Sequence, residues 1–279
     1  LRYCLIADFV LICHYLFIFF TSFIMPAIPS LHIGCASWQV PPRFHAGASQ
    51  LERQPEAERK KSHLQRYSEY FSAVEINSSF YRSHLPKTYA RWRIEVPSEF
   101  RFSVKLPRLI THQMRLENCE DALQRFLDEV AYLQEKLGCI LIQLPPSLKF
   151  DKRIVAHALE IIRNRTDVSL SLEPRHVTWF LSNAMQLLDE QKVGLVRADP
   201  HPIGLDSATL PQISPDLYYR LHGSPVMYSS SYDNHFLHNL MTAILKQYPY
   251  CKHIWCIFDN TAEGAAFPNA MQFKALCSE

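Results

Sequence analysis

Glu75 and Glu173 each stand at the end of a short apolar run, one in AVEIN and the other in SLSLEPRH. Two carboxylates brought to one place can divide acid and base duties between them. Three cations hold comparable positions: Lys105 after RFSV, Arg175 two residues past Glu173, and Arg220 after LYY. Arginine forks match the geometry of phosphate and carboxylate groups. His112, His176 and His222 follow three of these runs, and imidazole is the side chain suited to acid–base catalysis near neutral pH. Glu75, Glu173, His176 and His222 are therefore the candidate catalytic groups. The candidate substrate ligands are Asn77, Lys105, His112, Gln143, Arg175, Asp199, Arg220 and Asn260. The plainer account of the same residues is a scaffold, in which the glutamates only neutralise Lys105, Arg175 and Arg220. Trp38, Trp92 and Trp179 read as packing residues, and Tyr228 and Tyr232 fit either a lid or rim packing.

For these residues to meet, the runs before them must be neighbouring elements. Eight runs read as buried strands, at 31–36, 73–77, 101–105, 138–144, 168–173, 193–199, 217–221 and 253–258. They are short, mostly β-branched or aromatic, and bounded by polar residues, Gly or Pro. Several are apolar nearly throughout, as in parallel strands covered on both faces. Helical patterns separate most of them. In the clearest, Leu123, Phe126, Leu127, Val130, Leu133 and Leu137 repeat at helical spacing after a cap expected at Asn118. Asp151 and Thr178 are expected to cap two more, and further helices are expected over about 233–247 and 264–277. The segment after the sixth run is poor in helix signals.

Strand–helix alternation of this kind predicts a TIM-barrel-like (β/α)8 parallel barrel. Such a barrel needs about 250 residues, and the chain has 279. An open doubly wound sheet fits less well, because no Gly-x-Gly-x-x-Gly follows any strand. In a closed barrel the strand ends named above converge on one mouth, where such folds place their active sites.

The rest of the composition narrows the function. Net charge is +2, too small to steer the whole molecule to nucleic acid or membrane; a small-molecule ligand is expected, and the cofactor stays open. Cys4, Cys13, Cys35, Cys119, Cys139, Cys251, Cys256 and Cys277 form no Cys-x-x-Cys pair. Reduced thiols in a cytoplasmic protein are expected. Residues 1–25 differ from the remainder: from 5 to 24 the only strongly polar interruptions are Asp8 and His14. They read as an over-extended start before Met25, with a signal or membrane anchor as the competing account. Residues 26–279 read as one domain.

The segments IGCASW (33–38), VEINSSFY (74–81), FSVKLP (102–107), ITH (110–112), ILIQLPPS (140–147), EPRHVTW (173–179), ADP (198–200), RLHG (220–223) and FDNTAEGAAFPNA (258–270) resemble the YecE-like proteins, domain-of-unknown-function family seventy-two. The resemblance runs in order from about residue 31 to 276. It implies a TIM-barrel-like fold with these motifs at the strand ends, and no established activity. The family's usual Ile-Gly-Thr-Ser-Gly-Trp differs here at Cys35, Ala36 and Ser37, which puts a role for the first strand in doubt. Pro174 replaces the usual Phe of Glu-Phe-Arg-His, and Asp259 the first Asn of Asn-Asn.

Three functions stay open. The first is acid/base enzymology on a small anionic or polyhydroxy substrate. The second is metal-dependent phosphodiester hydrolysis with Glu75, Glu173, Asp199 and His176 as ligands. The third is a non-catalytic ligand-binding barrel. An active site requires Glu173, Arg175, His176, Arg220 and His222 to line one open cavity, with Glu75 and Lys105 beside them. A scaffold requires the same groups buried in mutual ion pairs.

Overall fold

The computed structural model describes residues 28–44 and 61–278. The strands are β1 Ser30–Cys35, β2 Ala73–Ile76, β3 Arg101–Lys105, β4 Leu137–Gln143, β5 Ser169–Glu173, β6 Val193–Asp199, β7 Asp216–Leu221 and β8 His253–Phe258. Each falls within one residue of its expected bounds. Parallel ladders join them in the order β1-β8-β7-β6-β5-β4-β3-β2. The outer layer is α1 His63–Ser68, α2 Pro86–Glu95, α3 Glu120–Val130, α4 Lys152–Arg163, α5 Ser182–Glu190, α6 Asn234–Gln247 and α7 Ala266–Leu276. Only a short 3-10 turn, Ser207–Thr209, stands between β6 and β7. The anchor or over-extended start expected at 1–25 lies outside the described residues. No helix among the described residues is long and apolar enough to cross a membrane.

Side-chain caps start α1, α4 and α6. Asp151 accepts from the backbone N–H groups of Arg153 and Ile154 and starts α4 as expected. Two expected caps are replaced. Asn118 has φ 48° and precedes the flanking residue Cys119, so it does not cap α3. Thr178 instead accepts from the backbone N–H of Phe150, tying the loop after β5 to the loop after β4. The periodicity that suggested one helix through Leu137 is broken at Gln134, whose φ is 49°.

The ladder order leaves β1 and β2 as the two edges, and a side chain closes the seam. Tyr67 of α1 is fully buried, accepts from the backbone N–H of Cys35 (2.8 Å) and donates to the carbonyl of Ala73 (2.9 Å). One hydroxyl thus satisfies a β1 donor and a β2 acceptor that would otherwise be orphaned. The approach is tight: a Cβ on Gly34 would lie 2.1 Å from the carbonyl oxygen of Ala73, so only glycine fits there.

Inside the barrel the residues change character along the axis. Trp255 lies near the N-terminal end, stacked on Tyr218 with centroids 5.9 Å apart. Small and aliphatic residues, among them Ala73, Cys139, Leu141, Val196, Ala198 and Ile257, fill the space around them. Beyond Tyr218, toward the C-terminal end, the lining turns charged.

Candidate functional site at the barrel mouth

Arg220 is the centre of this charged layer. Its position follows from strand alternation: Tyr218, Arg220 and His222 share the inward face of the β7 segment, while Leu221 turns outward. The guanidinium spans the barrel. Nε and Nη2 donate to the two oxygens of Glu75 on β2 at 3.0 and 2.9 Å, and Nη1 donates to Glu173 Oε2 on β5 at 3.2 Å. Asp259, just past β8, completes the set, with Oδ2 2.9 Å from Nη2. Tyr218 supports Glu75 from below, its hydroxyl 2.9 Å from Glu75 Oε2 and 2.9 Å from Ser103 Oγ.

Glu173 collects further donors. Gln143 is its register partner on β4 and donates to Oε1 at 2.9 Å. Arg175 donates to the same oxygen from Nη2 at 2.9 Å. Burial alone would raise the carboxyl pKa of Glu173, but the nearby charges of Arg220, His222 and Arg175 hold it well below the usual range. Asp259 is lowered in the same way, burial being outweighed by Arg220 and His222. His222 Nδ1 lies 3.0 Å from Asp259 Oδ2. Its Nε2 is 3.4 Å from Glu173 Oε1, an ion-pair contact whose geometry falls short of a hydrogen bond, which leaves that buried nitrogen without a hydrogen-bond partner. Burial would depress His222, yet the two carboxylates raise its pKa.

Lys105 differs from the other cations. It retains only 4% exposure, and its ammonium has neither a hydrogen bond nor a carboxylate at ion-pair distance among the described residues. The ammonium sits 4.2 Å from the centroid of the Phe80 ring. Ser79 fixes that ring's turn by hydrogen bonding to the carbonyls of Ile76 and Lys105. Burial and the charge of Arg220 bring Lys105 down to about 8, against the opposing pull of Glu75, Glu173 and Asp259. His112 packs edge-on against the same Phe80 ring at 5.0 Å. Its pKa is lowered by burial and by the charges of Lys105, Arg108 and Arg175.

The remaining candidates disperse. His176 caps the 3-10 turn Val177–Phe180 by accepting from Thr178 N and pairs with none of the acids among the described residues. Asp199 accepts from the hydroxyl of Tyr232, and its carbonyl accepts from the backbone N–H of His222. Asn260 is buried and donates to Ser230 and Asn269, with its Oδ1 unpartnered. Asn77 Oδ1 is likewise buried without a partner. Tyr232 is buried, while Tyr228 is partly exposed and packs edge-on against His222 at 5.5 Å. Glu75, Glu173, Asp199 and His176 thus do not form a ligand set, and among the described residues no three His, Cys, Asp or Glu side chains are grouped to hold a metal ion. Sequence reasoning passed over Asp259, Tyr218 and Ser103 as site residues.

A (β/α)8 barrel with its charged residues gathered at the C-terminal mouth defines the class of molecule. Residues 26–279 match the family described as "Protein of unknown function DUF72", and the chain belongs to it. It is 30% identical to the UPF0759 protein YecE of Escherichia coli K12 over 115 residues, 41% of this chain and 38% of that protein. It is 26% identical to the UPF0759 protein YunF of Bacillus subtilis over 245 residues, 76% of this chain and 86% of that protein. The crystal structure of a DUF72 family protein from Enterococcus faecalis superposes with a TM-score of 0.71 at 22% identity, covering 89% of this chain and 96% of that one. One from Thermotoga maritima gives 0.69 at 22%, covering 90% and 100%. These likenesses carry the fold.

Proposed function

We propose that the chain is an enzyme that binds a small anionic substrate at the barrel mouth and moves a proton there. The observation that carries this reading is the unequal pairing of charge. Glu75, Glu173 and Asp259 are matched against Arg220, Arg175 and His222, while Lys105 is buried beside them with no anion of its own. With His222 protonated the cluster carries one positive charge in excess, which an anionic ligand would balance. His222 Nε2 offers a buried donor to the same ligand. His112, held neutral, offers an acceptor.

A second reading has its own observation. Both oxygens of Glu75 are occupied by Arg220 and Tyr218, which suits a ligand-binding barrel whose acids do no chemistry. The test is a thermal-shift screen of small carboxylates, phosphates and sugars, with each hit followed by NMR for turnover. The enzyme reading expects an anion that raises the unfolding temperature and is converted. Binding without conversion favours the second reading, and stabilisation by neutral sugars alone contradicts the anionic assignment.

A further inference from the structure

Resting on the anion-binding reading, we propose that Lys105 captures the carbonyl group of an anionic carbonyl compound as an imine, while Arg175 holds the compound's carboxylate or phosphate. The geometry of the amine suggests it. Lys105 is 4% exposed, at the end of β3. Its neighbours are arranged to keep a carboxylate away from it: Arg220 takes up Glu75, Glu173 and Asp259. A carboxylate on the ammonium would hold the nitrogen protonated and end its nucleophilicity. The Phe80 ring fills one side of the amine at 4.2 Å, and Ser79 fixes that ring in place. Burial and the Arg220 charge bring the amine to about 8, within reach of neutral pH.

The charges of Lys105 and Arg175 both act on His112, which places the three groups in one electrostatic neighbourhood. Arg175 keeps 19% of its side chain exposed and meets Glu173 through Nε and Nη2. His112 shares the Phe80 ring with Lys105. Its Nδ1 is engaged with Thr111 Oγ1 at 2.8 Å, and its Nε2 has no partner among the described residues. The step balances without a further reactant. The ammonium of Lys105 loses a proton to His112 and its lone pair forms a C–N bond to the carbonyl carbon. His112 then carries two nitrogen protons in turn to the carbonyl oxygen, which leaves as water when the C–O bond breaks. The third proton stays on the iminium nitrogen, so charge is conserved.

The experiment treats the full chain with glyoxylate and cyanoborohydride near neutral pH and follows each lysine by peptide mass spectrometry. Glycolate, the same anion without a carbonyl, is the competitor, and glycolaldehyde is the uncharged aldehyde. We expect Lys105 to be reductively alkylated about tenfold or more faster than exposed lysines, a difference of one pKa-equivalent in reactivity. Glycolate should slow that reaction, and glycolaldehyde should label Lys105 less selectively. Modification of Lys105 no faster than exposed lysines overturns the proposal. If glycolate still raises the unfolding temperature of the wild type and of Lys105→Arg in that case, anion binding survives alone. If glycolate has no effect either, both readings fall. A selective adduct that glycolate does not slow overturns the assignment to anionic carbonyl compounds.

Discussion

Arg220 donates to Glu75 and Glu173, lies against Asp259 and is 1% exposed. Its guanidinium remains protonated well beyond the ordinary arginine range, since the three carboxylates outweigh the cost of burial. Arg220→Met keeps the apolar stem and deletes the charge. Three acids then share a dry interior with only Arg175, His222 and Lys105 to answer them. Losing one partner of a buried ionic network costs about 3–5 kcal/mol, and urea denaturation of the variant should show a loss of that size. A loss below about 1 kcal/mol, the value of an exposed pair, would mean that the network is solvated. Glu173→Gln should cost less, because an amide oxygen can still accept from Gln143 and Arg175.

Among the elements, the seam between β1 and β2 is the weakest join, and Tyr67 bridges it. Tyr67→Phe removes one oxygen and orphans both the N–H of Cys35 and the carbonyl of Ala73. An unsatisfied buried group costs about 1–3 kcal/mol, so the variant should lose at least that in denaturation. Its amide exchange should rise first in β1 and β2, and uniform protection would argue against the seam. This bridge was not legible in the sequence, because it depends on which strands are the barrel's edges. The strands themselves were legible, since each apolar run is bounded by turn residues. Arg220 and His222 could be placed on one face from alternation alone. The pairing was not. Asp259 and Asn260 stand side by side in the sequence, and only the register shows that Asp259 points at Arg220 while Asn260 serves the loop around Ser230 and Asn269. Tyr218 reads as core in a run of aromatics, yet its hydroxyl holds Glu75. His176 follows Glu173 so closely that it invites a shared role, but the turn after β5 makes it a cap.

Across the whole molecule, the two ends of the barrel should titrate in opposite senses. At the N-terminal end His32 is brought from 6.5 to about 4 by burial and by the charges of His253 and Arg101. Its folded pKa is depressed, so the unfolded chain binds more protons between those values. The stability it contributes is full above about pH 6.5 and is lost as pH falls toward 4, by about 3 kcal/mol. His222 at the mouth is raised, so its contribution is full below its unfolded pKa and is lost as pH rises through the folded one. Glu173 and Asp259 are lowered, and their contributions fail only in stronger acid. Imidazole NMR should find His222 protonated above pH 6.5 and His32 neutral down to about pH 4. Both titrating near 6.5 would contradict the burial assigned to them.

The mouth is therefore divided. Arg220 pairs with its three acids, whereas Lys105 is buried with no carboxylate at ion-pair distance among the described residues, and on the proposed reading that place is kept for a ligand. Such a residue lowers stability for the sake of function. The most direct measurement is equilibrium urea unfolding of Lys105→Met beside the wild type, without added anions. Methionine keeps an apolar stem of similar length and removes a desolvated charge that sits over the Phe80 ring and feels Arg220. Lys105→Met should be as stable as the wild type or more so. A loss of several kcal/mol would show that Lys105 is a structural partner of the acids and not a group held for a ligand.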